Sequence, residues 1–401
     1  MREKICMAVT NDITHDSRVI REASALASNG FKVDVVGIKS FHEQKDKEIW
    51  DGFIIHRVDK YTYSNIFSFS FLKIVKYYLP LLSYGTINTK RLFDKMVEIK
   101  AEIYHANDLD TLLCTYKAAK KNHAKLVYDS HELFVETMNQ GGFGMIFQKF
   151  FYIYYYLIEK FLISKAHLVL TVSDSIARAL MKRYRIALPY VIKNVPLSNV
   201  ITKELDLHQK TGAPKNTRLI IYQGSLQPGR GLGQAIEAIA LLPNTYELVI
   251  LGNGRLKQFL KDQAEKLNIL KRVHFIDAVP QKDLLSYTKG ADIGLVFLED
   301  LNLNQHFSLP NKLFEYMSVG VPVVAIDLPE IKAVVEKNNV GILCQNLDPH
   351  EIARSVREIC EKKQPSVQSD NARMAYKKKY NWGVESKKFI AAYKALAEEI
   401  S

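Results

Sequence analysis

Along most of the 401 residues, short apolar runs closed by Gly or polar turn residues alternate with stretches of helical period, and this rhythm occurs twice. A parallel sheet with helical crossovers produces that pattern. In the first half, Ile5–Thr10, Val33–Ile38, Ile54–Val58, Ile103–His105, Leu126–Tyr128 and Leu168–Val172 read as strands. Ser17–Asn29 reads as the first helix, with Val19, Ala23, Leu26 and Ala27 on one face and Gly30 ending it. The second series comprises Arg218–Tyr222, Glu247–Leu251, Val273–Phe275, Ile293–Phe297, Val323–Ile326 and Gly341–Leu343. Between them, Pro189 to Lys215 lacks sustained periodicity and reads as the linker. The expected fold class is α/β, with two doubly wound Rossmann-like domains facing across a cleft. Ligands of such sheets sit beyond the carboxyl ends of the strands, so the informative residues should follow each strand.

Composition agrees with a globular chain of two domains, at 47% apolar and 24% charged residues. The four cysteines, Cys6, Cys114, Cys344 and Cys360, form no C-x-x-C pair, which removes the zinc-ribbon and redox readings and leaves small buried hydrophobes in a reducing compartment. The apolar start, Ile5 to Thr10, is shorter than a signal-peptide core of about 7–15 residues. No run reaches the roughly 18 apolar residues of a membrane span, so a cytoplasmic location is expected. The net charge is +12, and residues 1–200 carry 28 Lys/Arg against 20 Asp/Glu. That bias fits an anionic membrane or a phosphate-bearing substrate, and without a recognisable nucleic-acid module no nucleic-acid partner is expected.

Two segments break the rhythm. Tyr61 to Lys100 mixes aromatic residues with Lys60, Lys73, Lys76, Lys90, Arg91 and Lys95, opposed only by Asp94 and Glu98. It reads equally as a membrane-surface patch or as core helices with snorkelling lysines. Phe143 to Leu162 is apolar all round, which predicts a buried helix.

The sharpest local signal is Tyr222-Gln-Gly-Ser-Leu-Gln-Pro-Gly-Arg-Gly-Leu232. Gly224, Gly229 and Gly231 let backbone approach a ligand, and the amides of a helix start with the Arg230 guanidinium would hold a diphosphate. Glycines required only for φ > 0 are the simpler account. In Ser308-Leu-Pro-Asn-Lys-Leu-Phe-Glu-Tyr-Met, Glu315 sits among apolar residues and needs partners, which a ribose diol or an ion pair with Lys312 would supply. In Tyr128-Asp-Ser-His-Glu-Leu-Phe134, His131 follows a strand and is either a cleft catalyst or a structural hydrogen-bonder. Asp16 and Arg18 follow the first strand in the same way. Asp108-Leu-Asp110 matches a metal-binding D-x-D in form, but reads better as the start of a helix, where carboxylates are favoured. No metal site is expected.

Taken together, the turn ending in R-G-L, P-N-K-L-F-E-Y-M-x-x-G-x-P-V-V, the opening N-D-x-x-x-D-S-R-V-x-R-E-A and Y-D-S-H-E-L-F resemble the retaining, nucleotide-sugar-dependent glycosyltransferases of the GT-B fold, of the family 4 type. This group includes bacterial polysaccharide and lipid-linked sugar transferases, and the four motifs run through nearly the whole chain in order. The resemblance implies an acceptor-binding domain over 1–195, a donor-binding domain over 196–375 and a C-terminal helix, 376–401, packing back on the first. It implies His131, Arg230 and Glu315 as the catalytic set: Arg230 on the donor diphosphate, Glu315 on the ribose, and His131 near the transferred sugar. Ala278 and Val279 would face the base, and the amides of Ser308 to Asn311 the sugar. Gly224, Ser225, Gly252, Gly254 and Lys312 complete the donor side, and Asp16, Arg18 and Asp108 are acceptor-side candidates. The family commonly has Glu where this chain has Phe307, and Arg where it has Ser225. Sugar recognition must therefore depart from the usual pattern.

The activity so implied is metal-independent transfer of a glycosyl unit, without a cofactor, from a UDP- or GDP-type sugar to a lipid-linked or polysaccharide acceptor, with peripheral contact to an anionic membrane. Phe307 and Ser225 motivate the alternative, a non-catalytic GT-B-like subunit that binds a partner transferase.

Overall fold

A computed structural model describes residues 3–60, 89–137, 145–197, 205–361 and 365–399. The chain divides into two compact units, Met1–Ile192 with Ser386–Ser401, and Lys193–Glu385. Residues 376–385, expected with the C-terminal helix, belong instead to the second unit. There the Tyr376 hydroxyl donates to the Leu197 carbonyl at 2.6 Å, and the Trp382 amide donates to Pro196 at 3.1 Å.

In the first unit the strands are β1 (Lys4–Ala8), β2 (Lys32–Ile38), β3 (Lys47–Trp50), β4 (Phe53–Val58), β5 (Ile103–Asn107), β6 (Lys125–Ser130), β7 (Leu168–Thr171) and β8 (Tyr190–Val191). They form one sheet in the order β3-β4-β2-β1-β5-β6-β7-β8, parallel except for the β3/β4 pair. The parallel strands of the sheet centre are covered on both faces and therefore read as continuous apolar runs. β3 and β8 were not expected. β3 alternates exposed and half-buried residues at a sheet edge, and β8 has only two residues, so neither carries an apolar run.

Helix α1 (Ser17–Ser28) buries Val19, Ala23 and Leu26, and with them Arg18, Arg21 and Glu22. Its N-cap is Asp16, whose carboxylate accepts from the Val19 amide at 3.2 Å. Helix α2 (Leu109–Lys121) follows β5. Of the aromatic and basic stretch at 61–100, positions 61–88 lie outside the described residues. The remainder is helical over 89–99 and buries Leu92 and Met96.

Helix α3 (Met145–Ile163) corrects the expectation of a helix buried all round. Phe151, Glu159, Leu162 and Ile163 are buried, whereas Phe150, Ile153, Leu157 and Phe161 are 54–60% exposed. Among its described side chains, one side of α3 meets the unit. Glu159, drawn inward by the hydroxyls of Tyr128 (2.7 Å) and Tyr184 (2.6 Å), fixes which side that is. The last helix, α4 (Trp382–Glu398), places Tyr393 in the first unit, against Phe31 and His105.

The second unit has β9 (Arg218–Gln223), β10 (Tyr246–Leu251), β11 (Val273–Ile276), β12 (Ile293–Val296), β13 (Val323–Ile326) and β14 (Gly341–Cys344). All are parallel, in the order β11-β10-β9-β12-β13-β14. Each sheet thus reverses its order beside its first strand, between β1 and β5 and between β9 and β12. Connections leave to opposite faces at such a point and open a crevice at the carboxyl edge.

Candidate active site

In the second unit the switch point brings together the loops after β9 and β12. Gly224, Gly229 and Gly231 have φ of +131°, +80° and +63°, a region that favours glycine. The Gly229 carbonyl accepts from the Glu299 amide at 3.0 Å, joining the two loops. Beyond Gly231 the chain enters α5 (Leu232–Ala240). Gly252 and Gly254 lie against the β9 loop. A Cβ at Gly252 would lie 1.9 Å from the Gly224 carbonyl oxygen, and one at Gly254 would lie 2.3 Å from that of Leu226. The Leu226 amide donates to Asn253 at 3.0 Å in the same contact. Since Gly252 also has φ +150°, Gly252→Ala is expected to destabilise the second unit by on the order of 3 kcal/mol, as measured by urea unfolding.

Helix α7 (Asn311–Val319) starts after the short α6 (Leu303–His306). Its Lys312 ammonium lies 3.6 Å from the centre of the Tyr222 ring, and the Tyr222 hydroxyl donates to the Ser225 carbonyl at 2.9 Å. Burial, and then the charge of Arg230, push the Lys312 ammonium well below its ordinary pKa, while Glu315 opposes the shift. Among the described residues neither Arg230 nor Lys312 has a carboxylate within ion-pair distance. Two cations thus meet at a glycine-lined edge with no anion between them. That arrangement suits a diphosphate, and the first-turn amides of α7 add to it.

The buried Glu315 carboxylate accepts from the Gln223 amide at 2.5 Å and more loosely from Gln281 at 3.4 Å. Gln223 is held in turn by the Thr288 hydroxyl, at 2.7 Å. Of the two partners weighed for Glu315, a ribose diol and an ion pair with Lys312, the second is replaced here by side-chain amides. Sequence reading missed Gln223 and Gln281. The signal for Gln223 was a polar residue ending an apolar strand. The Ser308 amide, expected to face a sugar, donates to Gln305 at 3.1 Å, and Pro310 has no N–H, leaving Leu309 and Asn311 from that stretch. Ala278 is exposed and Val279 half-buried after β11, at the edge where a base was expected, and Phe307 stacks obliquely on His306 at 5.1 Å.

In the first unit His131 is clamped. Its Nδ1 lies 3.0 Å from Asp108 and its Nε2 lies 3.2 Å from Asp129. A neutral imidazole has one N–H, so facing two carboxylates requires the doubly protonated ring. Burial works against that charge, but the two carboxylates outweigh it and hold His131 well above its usual pKa. Asp108 and Asp110 stand at the start of α2, as expected, although Asp108 makes no side-chain cap bond. Asp108 adopts φ +62° and spends its carboxylate on the His131 ring and on the His131 amide, at 2.9 Å.

Arg18 was expected on the acceptor side but is 3% exposed. Its guanidinium forks onto Asp129 at 2.7–3.0 Å, pairs with Glu22 at 3.0 Å and donates to the Ile192 carbonyl at 2.9 Å. It therefore positions Asp129, and through it His131. Glu22, His105 and Asp129 bring their ligand atoms within 4.8 Å of one another, a spacing a metal could use. The cation already between the two carboxylates is Arg18. Burial drives Glu22 up to about 8 and His105 down to about 3, so both favour their neutral forms. The His105 Nδ1 meets the Tyr393 hydroxyl at 2.5 Å.

Comparison with known proteins bears on both units. Residues 17–194 match the family described as Glycosyltransferase Family 4, and residues 203–380 match Glycosyl transferases group 1. The D-inositol 3-phosphate glycosyltransferase of Corynebacterium glutamicum is 24% identical over 48% of this chain, which spans about half the length of that relative (47%). The chitobiosyldiphosphodolichol beta-mannosyltransferase of Candida albicans is 24% identical over 89% of this chain and 81% of its own. Among solved structures, sucrose-phosphate synthase from Thermosynechococcus elongatus superposes with a TM-score of 0.79 at 16% identity, covering 98% of this chain and 99% of its own. Anabaena HepE, solved with UDP and glucose, gives 0.72 at 16% identity, over 98% and 100%.

Proposed function

Because this chain is a glycosyltransferase of the GT-B fold and the family 4 type, we propose that it moves a sugar from a UDP- or GDP-type donor to an acceptor hydroxyl with retention of anomeric configuration. The observation that carries the donor reading is the pair of cations, Arg230 and Lys312, that converge on the glycine edge of β9 without a carboxylate partner. The bond between the anomeric carbon and the diphosphate oxygen breaks, and negative charge grows on that oxygen. Arg230, Lys312 and the start of α7 would neutralise it without a metal. The acceptor oxygen bonds the anomeric carbon on the same face, and its proton passes to the departing phosphate oxygen.

Glu315 is assigned to the ribose, whose hydroxyls would replace the long contact from Gln281. His131, with both ring nitrogens engaged, has no lone pair for a proton and is assigned a charge-bearing, hydrogen-bonding role on the sugar rather than that of a base. Acceptor recognition is assigned to the first unit, with a lipid-linked or polysaccharide acceptor at the cytoplasmic face of a membrane. The likeness to a structure holding UDP and glucose supports the donor, and the likeness to a chitobiosyldiphosphodolichol beta-mannosyltransferase supports a lipid-linked acceptor.

A thermal-shift screen of nucleoside diphosphates and their sugars tests the reading, with one base expected to stabilise the fold. If none does, and Arg230→Ala changes nothing, the non-catalytic subunit replaces it. Lys312 adds a second signature. Its depressed pKa rises when an anion arrives, so protons are taken up on binding and nucleotide affinity falls as pH rises between the free and bound values. Calorimetry in buffers of differing ionisation enthalpy reads that uptake directly, and Lys312→Met should abolish it.

A further inference from the structure

We infer that the outward face of α3 docks on an anionic phospholipid bilayer, with the helix lying along the membrane surface. Phe150, Ile153, Leu157 and Phe161 recur at helical spacing and are each more than half exposed, forming one continuous apolar stripe. Isolated exposed apolar residues are ordinary, but a stripe three turns long is an interaction surface.

The charges around it select the partner. Lys149 and Lys160 border one edge, and Lys165 follows just beyond the helix. Two of these lysines lie over aromatic rings of the segment, Lys160 over Tyr156 at 5.8 Å and Lys165 over Phe161 at 5.6 Å. In these positions the apolar stems extend the stripe while the ammonium groups reach outward, as snorkelling lysines do at a lipid interface. Glu159, the one acid in α3, is buried on the opposite side beneath Tyr128 and Tyr184. Among the described residues of α3 the outward face is therefore apolar at its centre and bordered by lysines, the complement of acyl chains beneath anionic headgroups.

Among the described residues no helix is long and apolar enough to cross a membrane, and Glu159 ties α3 to its unit. These features make the contact one of lying on the bilayer. The inference takes its choice of partner from the proposed membrane-linked acceptor, but its readout is binding rather than turnover, so the two can fail separately.

The test is co-sedimentation of the full chain with vesicles of phosphatidylcholine alone and of phosphatidylcholine mixed with phosphatidylglycerol. The wild type is expected to bind the mixed vesicles at least about tenfold more tightly, and less so as salt is raised. Leu157→Asp with Phe161→Asp should lose about tenfold or more on the mixed vesicles, since two large apolar side chains no longer enter the interface. Lys149→Glu with Lys160→Glu should lose the preference for anionic lipid alone. Both pairs are exposed, so an unchanged melting temperature and an unchanged thermal shift with nucleotide confirm an intact fold. Equal binding to both vesicles, no binding, or variants that bind like the wild type would overturn the inference. It would also be overturned by a wild-type dimer that Leu157→Asp dissociates without any vesicle binding, which would make the stripe a self-association surface.

Discussion

Arg230→Ala should lower turnover by about 10²- to 10³-fold and remove most of the thermal stabilisation given by a nucleoside diphosphate. The side chain has no carboxylate to release, and the residue is only half-buried beside a glycine turn, so its loss should leave the melting temperature of the free protein nearly unchanged. With Arg230 gone, Lys312 also loses the charge that helps depress it and becomes easier to protonate. Some diphosphate affinity should then survive, and the double variant with Lys312→Met should lose more than either single change. Single-turnover kinetics with the donor identified by thermal shift would check the order of effects. Equal rates for Arg230→Ala and wild type would remove the guanidinium from the reaction.

The largest effect on stability is expected at Arg18. Arg18→Ala leaves the Asp129 carboxylate fully buried without its cation, which should cost about 3–5 kcal/mol and lower the melting temperature of the first unit by roughly 10 °C. Arg18→Lys keeps the charge but not the fork, and should fall between the two. The sign of the pH dependence follows from the shifts. Burial raises Asp129, but Arg18 outweighs it and holds the carboxyl well below its usual value. That stability is present above an unfolded pKa of about 4 and is lost as pH falls through the folded value. The deficit of Arg18→Ala should therefore be greatest near neutrality and shrink as pH falls below the unfolded value toward the folded one. His131, held above its usual value, contributes stability below an unfolded pKa of about 6.5 and loses it as pH rises through the folded value. Urea unfolding across this range would show both limbs.

Much of this architecture is legible without coordinates. The strands β1, β2, β4 to β7 and β9 to β14 all lie within a residue or two of positions marked by apolar runs, because a strand covered on both faces leaves no alternative composition. The glycine turn after β9 was equally legible. The Lys312 environment was not, since its position over Tyr222 depends on α7 folding back across a neighbouring strand. Asp108 and His131 are 23 residues apart and come together because β5 and β6 are parallel neighbours. The partners of Glu315 lie 92 and 34 residues away, one at the end of β9 and one at the start of the helix that follows β11.

By itself, then, the order of residues determined two doubly wound domains, nearly all of their strands and the loops that leave them, because burial imposes a local period on the chain. Only the tertiary structure decided which charged groups meet. It turned Arg18 from a ligand-facing residue into the buried clamp of Asp129 and engaged both nitrogens of His131. It also left one face of α3 exposed. The physical reason is that a buried charge is defined by its partners, and partners are chosen by strand order and helix rotation rather than by spacing along the chain.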